Sequence, residues 1–212
     1  MRIFKQLCRT IMLLTAVWLS GCVLEDNPDD KNNGGAGTLS CGTRECRTVT
    51  IGGQTWMVEN LNRRTNDGSW CFANSTDSCS KYGRLYTWMV ARTVCPRGWH
   101  LPSRQEWQTL VDFAGGDNAA GMKLKSTSGW NNNGNGTDDY GFSALPGGKR
   151  FFYGSFGYAS TNGYWWTATE DGTNGSYLRI LDSGYYGADK DEVAEYLEYF
   201  KDDAYSVRCV AD

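Results

Sequence analysis

The chain has 212 residues, with 21 basic and 24 acidic side chains, one histidine, eight cysteines, 26 glycines, nine tryptophans and twelve tyrosines. It carries no basic run of the kind that tracks phosphates, which excludes the composition of a nucleic-acid-binding domain. Past its first twenty residues, no stretch is long and apolar enough to cross a bilayer.

Residues 1–21 read as a lipoprotein signal peptide. Arg2, Lys5 and Arg9 form a basic n-region, and residues 10–19 are an apolar run too short to span a membrane. Leu19-Ser20-Gly21-Cys22 resembles a bacterial lipobox, which implies cleavage before Cys22 and lipid on that residue, with acyl chains holding the protein at a membrane. Residues 22–40 read as a tether, since Glu25, Asp26, Asp29 and Asp30 precede a flexible Asn/Gly run. These acids just after Cys22 resemble the surface-export signal of Bacteroidetes-type lipoproteins, which implies a cell-surface position on the outer membrane. Without the three basic residues of the signal, 18 basic residues face 24 acidic ones, so the mature chain lies near −6.

Residues 41–212 suffice for one domain with a real core. Residues 48–58 predict a hairpin, two β-branched runs around Gly52-Gly53. Residues 65–81 read as a polar loop, and Tyr82-Gly-Arg-Leu-Tyr-Thr-Trp as an aromatic strand. Ser103 and Glu106 form a capping box. Behind it Trp107, Leu110, Val111 and Ala114 make one apolar stripe, and Gly115-Gly116 ends the helix. Residues 117–125 predict a short second helix. Residues 129–141 are nearly all turn formers, and a loop that long in a compact domain points to function. Residues 164–169, 176–181 and 205–210 predict strands, the last of them pairing inside a sheet. Residues 185–203 fit irregular chain plus a strand better than a helix.

Six cysteines remain in the domain: Cys41, Cys46, Cys71, Cys79, Cys95 and Cys209. An even set in an exported domain predicts disulfides, and spacing alone leaves fifteen pairings open. Short loops favour Cys41–Cys46 and Cys71–Cys79, which leaves Cys95 with Cys209. Zinc is disfavoured, because no C-x2-C pair exists and His100 is the only histidine. His100 sits at a corner between Trp99 and Leu101-Pro102 with no nucleophile elbow in the chain, and reads as a structural residue.

Six segments in order carry a family resemblance: Ile51-Gly-Gly-Gln-Thr-Trp-Met-Val-Glu-Asn-Leu-Asn, Tyr82-Gly-Arg-Leu-Tyr-Thr-Trp, Cys95-Pro-Arg-Gly-Trp-His-Leu-Pro-Ser, Gly141-Phe-Ser-Ala-Leu-Pro-Gly-Gly, Tyr164-Trp-Trp-Thr-Ala-Thr and Ser206-Val-Arg-Cys-Val. Together they resemble the Fibrobacter succinogenes major paralogous domain, from about residue 46 to the C-terminus. That family brings no agreed biochemical function. Leu101-Pro-Ser-Arg-Gln-Glu-Trp, Trp165-Trp166 and the Cys95…Cys209 frame are similar, more distantly, to the C-type-lectin-like fold and to the formylglycine-generating-enzyme-like proteins that share it. The resemblance implies an α+β domain of short antiparallel sheets with one or two helices, stapled by disulfides, Cys95–Cys209 being the hallmark bridge.

Trp130, Asn131, Asp138, Asp139 and Tyr140 are the candidate ligand loop. Exposed rings there, with Tyr158, Tyr164 and Tyr185, suit the apolar faces of sugars beside polar side chains. Trp56, Trp88, Trp99, Trp107, Trp165 and Trp166 are assigned to the core. Asp138, Asp139, Glu170 and Asp171 supply oxygens that calcium could use, although lectin-type calcium triplets are absent, and no cofactor is required. The expected function is non-catalytic binding of a glycan or protein at the cell envelope. The rival is an enzyme of the formylglycine-generating-like group, which needs reactive cysteine chemistry.

Overall fold

The computed structural model describes residues 39–40, 45–172, 174–184 and 189–212. Two short strands, β1 (Leu39–Ser40) and β2 (Glu45–Cys46), pair with each other, so β1 takes the last two residues of the predicted tether. The hairpin forms as β3 (Thr48–Ile51) and β4 (Gln54–Met57). Gly52 and Gly53 turn it with φ of 57° and 83°, the left-handed region open to glycine at little strain. A Cβ on Gly52 would also sit 3.0 Å from the Phe113 ring.

The next stretch departs from expectation. After β5 (Ser69–Trp70), the predicted polar loop holds a helix, α1 (Thr76–Tyr82), and β6 (Leu85–Thr87) stops short of Trp88. Trp88 instead opens α2 (Trp88–Val94), which buries Trp88, Ala91 and Val94. Helix α1 buries only Cys79 and Tyr82, too few positions to make a stripe. The aromatic and β-branched run 86–90 reads locally as strand, and tertiary packing overrides that preference. After β7 (Trp99–His100), the capping box forms as predicted. Ser103 Oγ accepts from the Glu106 N–H at 3.2 Å, and Glu106 accepts from the Ser103 N–H at 2.7 Å. Helix α3 (Arg104–Phe113) follows, burying Trp107, Leu110 and Val111, then α4 (Asp117–Leu124). The domain is therefore α+β with four α-helices among the described residues, where one or two were expected.

Short β8 (Lys149–Arg150) and β9 (Phe156–Gly157) precede three longer strands: β10 (Asn162–Glu170), β11 (Ser176–Asp182) and β12 (Val193–Glu198). The predicted last strand is two, β13 (Ala204–Ser206) and β14 (Val210–Ala211), lying in different sheets. The larger sheet has eight strands, with the order β12-β11-β10-β13-β6-β5 along its main path. The smaller runs β3-β4-β14-β7. The expectation of purely antiparallel sheets is corrected at one place: β13 pairs with β10 in parallel, Ser206 opposite Trp165. The chain re-enters there as a central strand rather than as a hairpin partner.

Successive strand residues face opposite sides, and β10 shows the consequence. Trp165 enters a core with Ile51, Trp56, Trp107, Leu110, Phe142 and Val210. Trp166 enters the other, with Met57, Tyr86, Trp88, Leu101, Tyr205 and Cys209. All six tryptophans assigned to the core are buried. Cys95 and Cys209 are bridged, their Cα atoms 6.0 Å apart, and so are Cys71 and Cys79. Cys46 is disulfide-bonded. The expected Cys41–Cys46 pairing lies outside the described residues at Cys41, as do Cys22, the signal and most of the tether.

Candidate functional site

The resemblance segments meet inside the molecule. Asn60 Oδ1 accepts from Trp165 Nε1 at 2.8 Å and from Arg208 Nη2 and Nε at 2.7 and 3.1 Å. Asn60 Nδ2 donates to the Tyr82 carbonyl at 2.9 Å and to Ser206 Oγ at 3.3 Å. Arg208 Nη1 donates to the Phe142 carbonyl, and its guanidinium lies 4.3 Å over the Phe142 ring. Arg208 is completely buried, and burial pulls its pKa down to about 9. It stays charged at neutral pH on carbonyl oxygens and a ring face. The hub joins five of the six segments and reaches no solvent, so it is structural. The sequence held a signal for it: an arginine at the centre of an otherwise apolar run, Tyr205-Ser-Val-Arg-Cys-Val.

Residues 49–211 match the family model described as the Fibrobacter succinogenes major domain. The chain belongs to that family. No curated protein and no solved structure matches the chain.

The loop 129–141 is bound into the fold. Trp130 is only 5% exposed, and its indole N–H donates to the Ala144 carbonyl at 3.0 Å and to Ser126 Oγ at 3.2 Å. The reading of Trp130 as a ligand face is thereby corrected: its ring is core. Lys125 Nζ stands 5.0 Å from the centroid of that ring, donating to the Lys190 and Asp182 carbonyls at 2.7 and 3.0 Å. Burial pushes the Lys125 pKa down to about 8, against the opposing pull of Asp191. Asp138 accepts from the Ser143 N–H at 2.7 Å and from its hydroxyl at 2.5 Å. Tyr140 is half-buried against Phe113, 5.5 Å between centroids; Asn131 and Asp139 are exposed. Glu170 pairs with Lys201 at 2.8 Å, and Asp171 accepts from the Gly175 N–H at 3.1 Å. The four proposed calcium acids are not gathered, and no cluster of three metal-ligating side chains occurs among the described residues.

His100 is clasped by two carboxylates, Nε2 at 2.7 Å from Glu106 and Nδ1 at 2.8 Å from Asp212. Burial lowers its pKa, but hydrogen bonds and charge from Asp212 and Glu106 outweigh that and raise it. With a carboxylate on each ring nitrogen, the imidazole has no open position toward a nucleophile. Cys46, Cys71, Cys79, Cys95 and Cys209 are all disulfide-bonded, so no described cysteine is a free thiol.

The open chemistry lies at the β5 edge of the large sheet. A groove of about 530 Å³ is lined by Trp70, Met89, Val90, Phe152, Arg150, Asp67 and Asp202, with Gly68 and Thr87. Gly68 is required there: its φ is 71°, and a Cβ would meet Val90 Cγ2 at 2.5 Å. Arg150 from β8 lays its guanidinium 4.0 Å over the Trp70 ring. Phe152 and Phe200 stack at 5.1 Å and 14°, and are 53% and 57% exposed.

These walls are fixed from beneath. Asp203 Oδ1 accepts from the Phe152 N–H at 2.7 Å, and Glu198 Oε1 from the Phe200 N–H at 2.9 Å. The Tyr205 hydroxyl lies 2.7 Å from Glu198 and 3.2 Å from Asp203; burial, with both carboxylates behind it, raises its pKa. Lys149 pairs with Asp203 at 3.4 Å. A second hollow of about 410 Å³ lies at the start of α3, lined by Ser103, Arg104, Gln105, Gln108 and Thr169. Three of its polar side chains are already committed: Ser103 to Glu106, Arg104 to Glu195, and Gln108 to Arg179. Of the aromatic residues proposed for sugars, Tyr158 is exposed, Tyr164 is half-buried against the core of Trp166 and Tyr205 rather than open to a ligand, and Tyr185 lies outside the described residues. The groove residues themselves escaped the sequence, because they come from four separate segments.

Proposed function

We propose that this chain is an exported lipoprotein, held at the outer membrane through lipid on Cys22, whose lectin-like domain binds a glycan or a protein at the cell surface without catalysing a reaction. The observation that carries the reading is the groove of Trp70, Met89, Phe152 and Arg150, with the carboxylates of Asp67 and Asp202 in its lining. Apolar faces with a few convergent polar groups, on walls anchored by buried carboxylates, are what a pre-organised ligand site requires. The Cys95–Cys209 bridge and the packing of helices on two sheets support the lectin-like comparison. The disulfide-bonded cysteines and the doubly clasped His100 weigh against the formylglycine-generating-like alternative, which needs a free reactive thiol.

The test is a glycan array and an affinity capture with the full chain and its Phe152→Ala and Asp202→Asn variants. A ligand retained by the parent and lost by both variants supports the reading. Ligand binding unaffected by either variant, or turnover of a thiol-dependent substrate, would refute it.

A further inference from the structure

Beneath the Phe152 wall an amine and a carboxylate lie within reach of each other. Lys149 of β8 and Asp203, one residue before β13, flank the Arg150–Ala204 pair of the antiparallel ladder. Backbone register therefore holds them together although they are 54 positions apart. Lys149 Nζ is 3.4 Å from Asp203 Oδ2 and 3.5 Å from the Tyr205 hydroxyl, and that hydroxyl is 3.2 Å from Oδ2. The three polar atoms make one small triangle. Water is largely shut out: the side chains of Lys149 and Asp203 are 16% and 4% exposed, and Tyr205 and Glu198 are buried. The Phe151, Tyr205 and Tyr164 rings surround the amine, with centroids 4.4, 5.6 and 5.9 Å away. The two oxygens of Asp203 are held differently. Oδ1 accepts from the Phe152 N–H at 2.7 Å, a backbone donor placed where an oxyanion would form. Oδ2 faces the amine and the Tyr205 hydroxyl, which Glu198 holds from behind at 2.7 Å.

We propose that Lys149 and Asp203 condense to an intramolecular isopeptide bond, with Tyr205 relaying the proton, so that β8 is joined covalently to the chain entering β13. The ammonium passes one proton to Oδ2, which leaves a neutral amine and a neutral carboxylic acid. The nitrogen lone pair adds to Cγ, and the carbonyl electron pair moves onto Oδ1, against the Phe152 N–H. The Tyr205 oxygen takes a proton from the nitrogen and its own hydroxyl proton goes to Oδ2, while the Glu198 carboxylate steadies the positive charge in passage. The Cγ–Oδ2 bond then breaks, Oδ1 re-forms the carbonyl, and one water leaves. Atoms and charge balance, and no co-reactant is needed. Three features take this arrangement beyond a resting ion pair. The ladder fixes the reacting groups in near contact, the oxyanion donor is already in place, and one hydroxyl touches both the nucleophile and the leaving oxygen. Burial and the carboxylates of Glu198 and Asp203 raise the Tyr205 pKa, so that hydroxyl keeps a proton to hand on.

Mass-spectrometric peptide mapping of the full chain, after prolonged incubation at neutral pH and with its disulfides reduced and alkylated, tests it. The bond predicts one branched tryptic peptide that contains Lys149 and Asp203, lighter by one water than its two parts, with no cleavage after Lys149. Lys149→Arg keeps the cation beside Asp203 but supplies no amine nucleophile, so it should fold and yield two separate peptides. Tyr205→Phe should leave the pair largely open, since losing a proton relay costs about a hundredfold in rate. Two linear peptides from the parent, cleaved normally after Lys149, would overturn the proposal. Closure of Tyr205→Phe as fast as the parent would overturn the relay.

Discussion

Asn60 makes two donations and three acceptances with one small side chain, and each partner is buried. Asn60→Ala would leave Arg208, Trp165, Ser206 and the Tyr82 carbonyl short of hydrogen bonds in a dry interior. Unmet buried groups cost about 1–3 kcal/mol each and more when charged, so the substitution is predicted to destabilise the domain by about 3–5 kcal/mol. Asn60→Asp keeps the acceptor for Arg208 and should lose less. Denaturant midpoints of the two variants check both statements. His100 yields a pH prediction at the same scale. Its folded pKa is raised above the unfolded value of about 6.5, so its contribution is complete below that pH. It is lost as pH rises through the folded value. The ring is partly exposed, so the effect stays under about 1 kcal/mol. Thermal midpoints should fall on raising the pH past 6.5, and His100→Gln should flatten that slope.

Among the elements, those legible in the sequence carry local signals: the Gly52-Gly53 hairpin, the capping box of Ser103 and Glu106, and the stripe of α3. What escaped depends on distant partners. Trp88 opens a helix because its ring enters a core with Trp166 and Tyr205, which no local pattern states. The final apolar run divides into β13 and β14 because Trp56, Trp165 and His100, in two sheets, claim its halves. Trp130, in a turn-rich loop, looked open because composition does not reveal that Ala144 and Ser126 wait for its N–H. The groove needs Trp70, Arg150 and Asp202 together, and their spacing along the chain carries no trace of that.

The disulfides separate stability from function at this scale. Cys95 and Cys209 are 114 residues apart, and closing so long a loop contributes about 4–5 kcal/mol in the chain-entropy model. Cys71 and Cys79, eight apart, contribute about 2–3 kcal/mol. Replacing the first pair by alanine should lower the unfolding midpoint more. Replacing the second, which adjoins Trp70, should weaken ligand binding more. Parallel unfolding and titration of the two double variants would show whether the effects divide that way.

Over the whole molecule, the six resemblance segments and the surface proposed to bind are largely different places. Five of the former converge on Asn60 and Arg208; the latter lies at the β5 edge, in residues 67–70, 87–90, 150–152 and 200–202. The central claim, that ligand is held at the β5-edge groove and not by the loop 129–141, is tested most directly by amide hydrogen exchange of the full chain with and without a saturating ligand found by the array or the capture. The account predicts slowed exchange in 67–70, 87–90, 150–152 and 200–202, with 129–141 unchanged. Protection confined to 129–141 would contradict it.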